Sequence, residues 1–286
     1  MKGQLRWLRL PMLGISERNG RWGRGAMITV SNRQESVELS TRTKSILSGL
    51  YLSRFDSLGL SALGFASFSE AFNVIGFALG SSPASIKNYR DGFDPLFPNT
   101  RKGWHKRKVR DYCLALLSEY KDRDVTAFTS LVMSFFEQNK DEGGTPLEHT
   151  SEFDKESSFA ARLITGLAAE QYFQLKHTVI PEFRNYQIEN TTRLGCGYEF
   201  RLWNASRDES FLAVEVKGLK GQSGSILMTT KENAVAAELS HRFYLFVVRN
   251  FQQSPRHDLY HNSLSGLLAF KKIERVVIQT SWLAKV

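Results

Sequence analysis

The run Phe211-Leu-Ala-Val-Glu-Val-Lys217 constrains this chain more than any other segment, because so apolar a stretch has to be buried as a strand. Side chains alternate along a strand, so Leu212, Val214 and Val216 share one face while Glu215 and Lys217 share the other. One face builds core and the other is left for chemistry. A second short β-type segment, residues 198–203, carries Glu199. The polar stretch 204–210 between the two can turn the chain back as a hairpin, which would bring Glu199 beside Glu215.

Around this pair the sequence alternates strands with helices, the pattern of an α/β fold. Strand-like pieces lie at 178–180, 198–203, 211–217 and 243–248, and 276–282 resembles a final strand. Residues 158–173 form an Ala- and Leu-rich helix with Phe159, Leu163, Leu167 and Phe173 as buried positions, and Glu170 lies on it. Thr229 and Glu232 form a capping box for a helix over 230–240.

The first part of the chain reads as mostly α-helical. Ile46, Leu47, Leu50, Leu52 and Phe55 have helical spacing over 38–60, with Ser40 or Thr41 as a cap. A helix over 69–79, begun by Ser67 or Ser69, buries Phe68, Phe72, Ile75 and Leu79. Gly80-Ser-Ser82 breaks it, Pro83 starts a short helix over 83–91, and Gly92 and Pro95 stop that one. This is the outline of a helix-turn-helix, which would expose Ser85, Lys87, Asn88 and Arg90 to phosphates and base edges. An ordinary surface helix has the same outline. Residues 101–110 follow with six cations, Arg101, Lys102, Lys106, Arg107, Lys108 and Arg110, together with Trp104. Such a cluster can neutralise phosphates while the indole stacks, or it can be a solvated helix start. Helices over 109–119 and 125–136 complete this part.

The net charge of +9 divides as +5 over 1–26, +4 over 27–136, −5 over 137–157 and +5 over 158–286. The expected organisation is therefore a disordered basic extension (1–26), a helical DNA-binding domain (27–136), an acidic linker (137–157) and an α/β domain (158–286). Met27 is a candidate natural start. A basic balance favours a polyanionic partner but carries no sequence preference. Cys113 and Cys196 lack zinc spacing and argue against a disulfide scaffold, in keeping with a cytoplasmic protein. No apolar run approaches the roughly 20 residues that cross a bilayer, so no membrane partner is expected. His105 and His241 have no partners at ligand spacing.

Phosphodiester hydrolysis needs charge neutralised at phosphorus, a water activated and a leaving oxygen stabilised, and divalent cations held by carboxylates do all three. Glu199 and Glu215 are the candidate Mg2+ ligands, with Mn2+ as a substitute, and the Val216 carbonyl could add a third. Lys217 could orient the attacking water or stabilise developing charge.

With a helix before them and a helix and strand after, Glu199 and Glu215-Val-Lys217 resemble the PD-(D/E)xK nuclease superfamily. More narrowly, Gly197-Tyr-Glu-Phe200, Val214-Glu-Val-Lys-Gly218, Met228-Thr-Thr-Lys-Glu232 and Tyr244-Leu-Phe-Val-Val248 are similar in order and spacing to the NO VEIN C-terminal type of nuclease-like domain, over about 158–250. The resemblance implies a restriction-endonuclease-like mixed sheet flanked by helices and a role in bacterial restriction or antiviral defence. It also makes Glu170 the helix acid near the metal, with a plain surface acid as the other reading, and Glu232 the acid of the following helix, or only a cap. Glu199 departs from the pattern, since family members more often carry Asp; the extra methylene moves the carboxylate out by about 1.5 Å.

The reading is a Mg2+-dependent endonuclease acting on double-stranded DNA, as a homodimer if both strands are cut, with other defence-system subunits as further partners. The alternative is a non-catalytic DNA-binding or sensor subunit built on the same scaffold. Action on RNA or single strands is a third reading, suggested only by aromatic residues near basic ones.

Overall fold

The structure is a computed structural model that describes residues 39–101, 108–137, 152–204 and 210–274, with the side chains of 152–157 outside the description. The extension 1–26 with Met27, most of 137–151, Lys102, Trp104, His105, Lys106, Arg107, residues 205–209 and the segment 276–282 lie outside the described residues.

Helix α1 (Thr41–Ala62) opens on Ser40, whose hydroxyl accepts the Thr43 N–H, and it kinks at Asp56 (φ 46°). Helix α2 (Phe68–Ala78) is capped by Ser67, and α3 (Pro83–Phe93) by Ser82 with proline in its first turn. Helix α3 runs through Gly92, two residues past the expected stop. Helices α4 (Asp111–Tyr120) and α5 (Val125–Ser134) follow, and α5 starts at an Asp124 cap.

Helix α6 (Glu152–Lys176) is longer than 158–173 and begins inside the stretch expected to be a linker. After it, residues 177–179 form a 3-10 turn where a strand was expected. The first strand is instead β1 (Gln187–Asn190), followed by β2 (Phe200–Trp203), β3 (Phe211–Gly218), helix α7 (Thr230–Leu239), β4 (Phe243–Arg249) and β5 (Arg256–His261). Strands β1 and β5 escape a sequence reading because they are polar edge strands without apolar alternation.

The strands form one mixed sheet in the order β1-β2-β3-β4-β5. Only the β3–β4 pair is parallel, as expected where helix α7 makes the crossover between them. Val214, Val216, Phe246 and Val248 face α6 and the helical part, while Ala213, Leu245 and Val247 face α7 with Ala236 and Leu239. Leu39–Val286 is one compact unit whose larger core continues from α1–α3 across α6 onto the sheet. Phe173 is its hub, with ring centroids 5.0 Å from Phe200 and 4.9 Å from Phe246.

Polar ties cross between the helical part and the sheet. The Asn73 amide donates to the carbonyls of Phe251 (2.8 Å) and Gln253 (3.0 Å), and Lys220 donates to the Gly64 carbonyl at 2.9 Å. Helix α6 crosses the end of β3 so closely that a Cβ on Gly218 would lie 2.8 Å from the Thr165 carbonyl oxygen and 3.2 Å from Ala169 Cβ. Glycine there lets α6 bring Glu170 to the strand that carries Glu215. Gly218→Ala should cost about 1–3 kcal/mol in urea unfolding, and an unchanged midpoint would show that the helix–strand approach is looser than described.

Candidate active site

The site is built on the α7-facing side of β2 and β3. The two strands are antiparallel with Phe200 opposite Val214, so one step further along each stand Glu199 and Glu215. Gly197, at φ +89°, turns the chain into this position, and its missing Cβ leaves room for Val235 and Lys231 of α7. Glu199 Oε2 accepts the Val216 N–H at 2.8 Å, which fixes the longer side chain against the neighbouring strand.

In the β2–β3 register Glu199 stands opposite Glu215, and the two carboxyls act on each other. Two like charges at one buried point are costly, which favours the protonated form of the pair. Burial, then the charge of its neighbour, holds Glu215 well above the usual carboxylate range; Glu199 is raised too, mainly by burial, with the hydrogen bonds from Glu215 and the Val216 amide and the Lys217 charge pulling the other way. Lys217 Nζ forms an ion pair with Glu215 Oε1 and a second with Glu232 Oε2 at 2.8 Å. Burial by itself would lower the lysine, but Glu215, Glu232 and Glu199 more than offset this and raise it, so it stays an ammonium at neutral pH.

Glu232 is not only a cap: its Oε2 also accepts the Thr229 N–H at 2.9 Å, completing the expected capping box while holding Lys217. Glu170 comes in from α6. Its carboxyl is pushed up to about 8 by burial first and then by the Glu199 charge, with Lys217 opposing. It opens into a groove of about 580 Å3 between α6 and residues 189–194. Glu170, Glu199, Glu215, Lys217 and Glu232 are thus brought together.

Among the described residues no group of three or more Asp, Glu, His or Cys side chains is set as a ready cage for an ion. The donor chemistry nonetheless fits a hard divalent cation: Glu199 and Glu215 offer buried carboxylate oxygens, and Glu215 Oε1 has only the lysine ion pair and no aligned hydrogen-bond donor.

The nucleic-acid candidates fare unevenly. Arg90 is not exposed as the helix-turn-helix outline requires. It is 6% exposed, bonded through Nε to Asp91 at 2.8 Å, and its guanidinium lies 4.8 Å from the Phe68 ring centre and 5.0 Å from that of Phe72. The 3.6-residue period of α3 turns it inward, where the two acids make burial tolerable. Arg101 is likewise a structural tie, bidentate on Asp94 at 2.8 and 2.7 Å and bonded to Asp56 at 2.7 Å, which fastens the α1 kink. Lys87 is exposed and paired with Asp91 at 2.6 Å. Ser85, Asn88, Lys108 and Arg110 do converge, on a depression of about 330 Å3 that Tyr89 also lines. His241 only accepts a hydrogen bond at its carbonyl, from His261 at 2.6 Å.

Residues 169–260 match the family model for Protein NO VEIN, C-terminal. No curated protein and no solved structure matches the chain. The NO VEIN C-terminal match starts one residue before Glu170 and runs into β5, so the whole acid cluster lies within it and the helical part α1–α5 lies outside.

A sequence reading misses the groove residues Gln171, Gln174, Asn190, Thr192 and Arg193. The only available signal is that Gln174 stands four positions after Glu170, on the same side of α6.

The Glu170 carboxyl loses its proton near 4.5 in the unfolded chain and near 8 in the folded one. Between those values the folded state binds more protons, so this group's contribution to stability is full below 4.5 and is lost as pH rises through 8. Glu170→Gln should therefore match the wild type in acid and exceed it by roughly 1–4 kcal/mol near pH 9. Equal chemical-denaturation midpoints at both pH values would contradict the raised carboxyl.

Proposed function

We propose that the chain is a Mg2+-dependent endonuclease, of restriction or phage-defence type, that hydrolyses phosphodiester bonds in duplex DNA, with Mn2+ able to replace Mg2+. One observation carries this reading: carboxyls from two neighbouring strands stand opposite each other, with an ammonium paired to one of them on the same face and a third acid from α6 beside them. A protein seldom buries several like charges at one point without a use for them. The match of 169–260 to the NO VEIN C-terminal family lends weak support to a nuclease-like role, and the two unpaired cysteines fit a cytoplasmic setting.

Glu199, Glu215 and the Val216 carbonyl would hold the cation, which when bound supplies charge neutralisation at phosphorus and a more acidic water. Lys217 is held as an ammonium, so it acts as a fixed positive charge that stabilises the phosphate in the transition state and not as a base. Glu232 keeps that ammonium in place. Glu170, titrating near 8, is matched to hold a proton and release it close to neutral pH. Ser85, Asn88, Lys108 and Arg110 are the described residues that would hold the duplex, with Lys102, Trp104, Lys106 and Arg107 of the same basic stretch. Cutting both strands would take two copies of the site, hence a homodimer.

A second reading, a DNA-binding or sensor subunit that does not cleave, rests on Lys217, which already pairs with Glu215 and Glu232 in the cluster without a cation. Incubating the protein with plasmid and phage DNA in Mg2+, Mn2+ or EDTA separates the two.

Glu215→Ala and Lys217→Ala should each lower cleavage by about 100-fold or more while binding in EDTA stays close to wild type. Full activity in either variant would eliminate the assigned site. Neutralising Lys108 and Arg110 should weaken binding on every sequence and reduce the slope of log K against log salt by about 1 for each phosphate no longer neutralised. An unchanged slope would clear both residues of a phosphate role.

A further inference from the structure

The groove that receives Glu170 is polar in an unusual way for a cleft beside an acid cluster. Apart from Glu170, Glu189 and Arg193 its lining is uncharged, and its hydrogen-bonding groups are largely amides and a hydroxyl: Gln171 and Gln174 of α6, Asn190 at the end of β1, and Thr192. Among the described residues the side-chain amides of Gln171 and Gln174 have no hydrogen-bond partner. The Thr192 hydroxyl is buried and unpartnered, a state that costs stability unless something comes to meet it. Asn190 Oδ1 accepts the Thr192 N–H at 3.0 Å, which fixes the turn that presents these groups. Arg193 is exposed on the same wall.

The chemistry of that wall narrows the ligand. An amide offers a donor and an acceptor side by side, the pairing that reads the edge of a nucleobase. A guanidinium suits a phosphate. At about 580 Å3 the groove falls in the size range of ligand sites and can take a single nucleotide. Its lining also includes Leu167 of α6 and Ala78 at the end of α2, so the groove reaches from the helical part to Glu170. A strand held against the helical part would pass along it to reach the carboxyls.

Resting on the nuclease reading above, we propose that this groove seats one nucleotide of the DNA strand being cut, with Gln171, Gln174 and Asn190 on the base edge and Arg193 on the phosphate. The base seated there sets sequence preference next to the scissile bond.

Gln171→Ala and Gln174→Ala test it, since alanine is the best helix former and both positions are only half-buried on α6. Cut sites are mapped on a mixed-sequence duplex library in Mg2+, and binding of labelled duplexes from the same library is measured in EDTA. If the wild type cuts, each variant should lose about tenfold in kcat/KM on the preferred sequence and little on the same duplex with one base changed beside the cut. Unchanged preference and rate would overturn the groove and leave the nuclease reading standing. A uniform loss on every sequence with a lowered melting temperature would also overturn it, as that marks a structural role. If the wild type leaves all DNA uncut, the nuclease reading fails and the EDTA binding decides: a sequence-selective drop in affinity in the variants supports the groove, and unaltered binding overturns it.

Discussion

Two carboxyl groups set opposite each other in a buried site resist carrying charge together, and the electrostatics of this protein are organised around that fact. Burial and the neighbouring Glu199 charge hold the Glu215 carboxyl well above the usual range, Lys217 pairs with it, and Glu232 anchors the lysine from the start of α7. None of these groups is stable there alone. Each depends on the central β2–β3 pair, which sets the two acids opposite each other, and on the α6 crossing at Gly218, which brings in a third. The fold thus gathers at one point the acids on which the proposed chemistry depends.

The basic residues of the helical part divide by what faces them. Arg90 and Arg101 are drawn inward by Asp91, Asp94 and Asp56, and they brace the α1 kink and the α2–α3 packing. Lys108, Arg110, Asn88 and Ser85 remain around a surface depression. Positive charge counted along a sequence is therefore not the same quantity as positive charge offered to a phosphate: acids beside it in the chain, as for Arg90, or brought to it by the fold, as Asp56 is to Arg101, remove part of it.

The sheet centre and the acid cluster were legible because they obey short-range rules. Period-two alternation marks β3, the polar stretch 204–210 implies an antiparallel return, and together they predict that Glu199 meets Glu215. The Thr229–Glu232 capping box is also local, and it is present as read. Strands β1 and β5 were not legible, since Gln187–Asn190 and Arg256–His261 are edge strands that are mostly polar in sequence and at most half-buried. The burial of Arg90 depends also on two aromatic rings of another helix, and no spacing rule reports those. The groove at Glu170 is tertiary throughout, as its walls come from segments more than a hundred residues apart between Ala78 and Arg193.

The most direct test of the central claim is anomalous diffraction from crystals soaked in Mn2+ near pH 8, where raised carboxyls give up their protons more readily. The account predicts a single peak bound by both Glu199 and Glu215, lost in Glu215→Ala crystals. The absence of a peak between the two carboxyls at millimolar Mn2+ would contradict it.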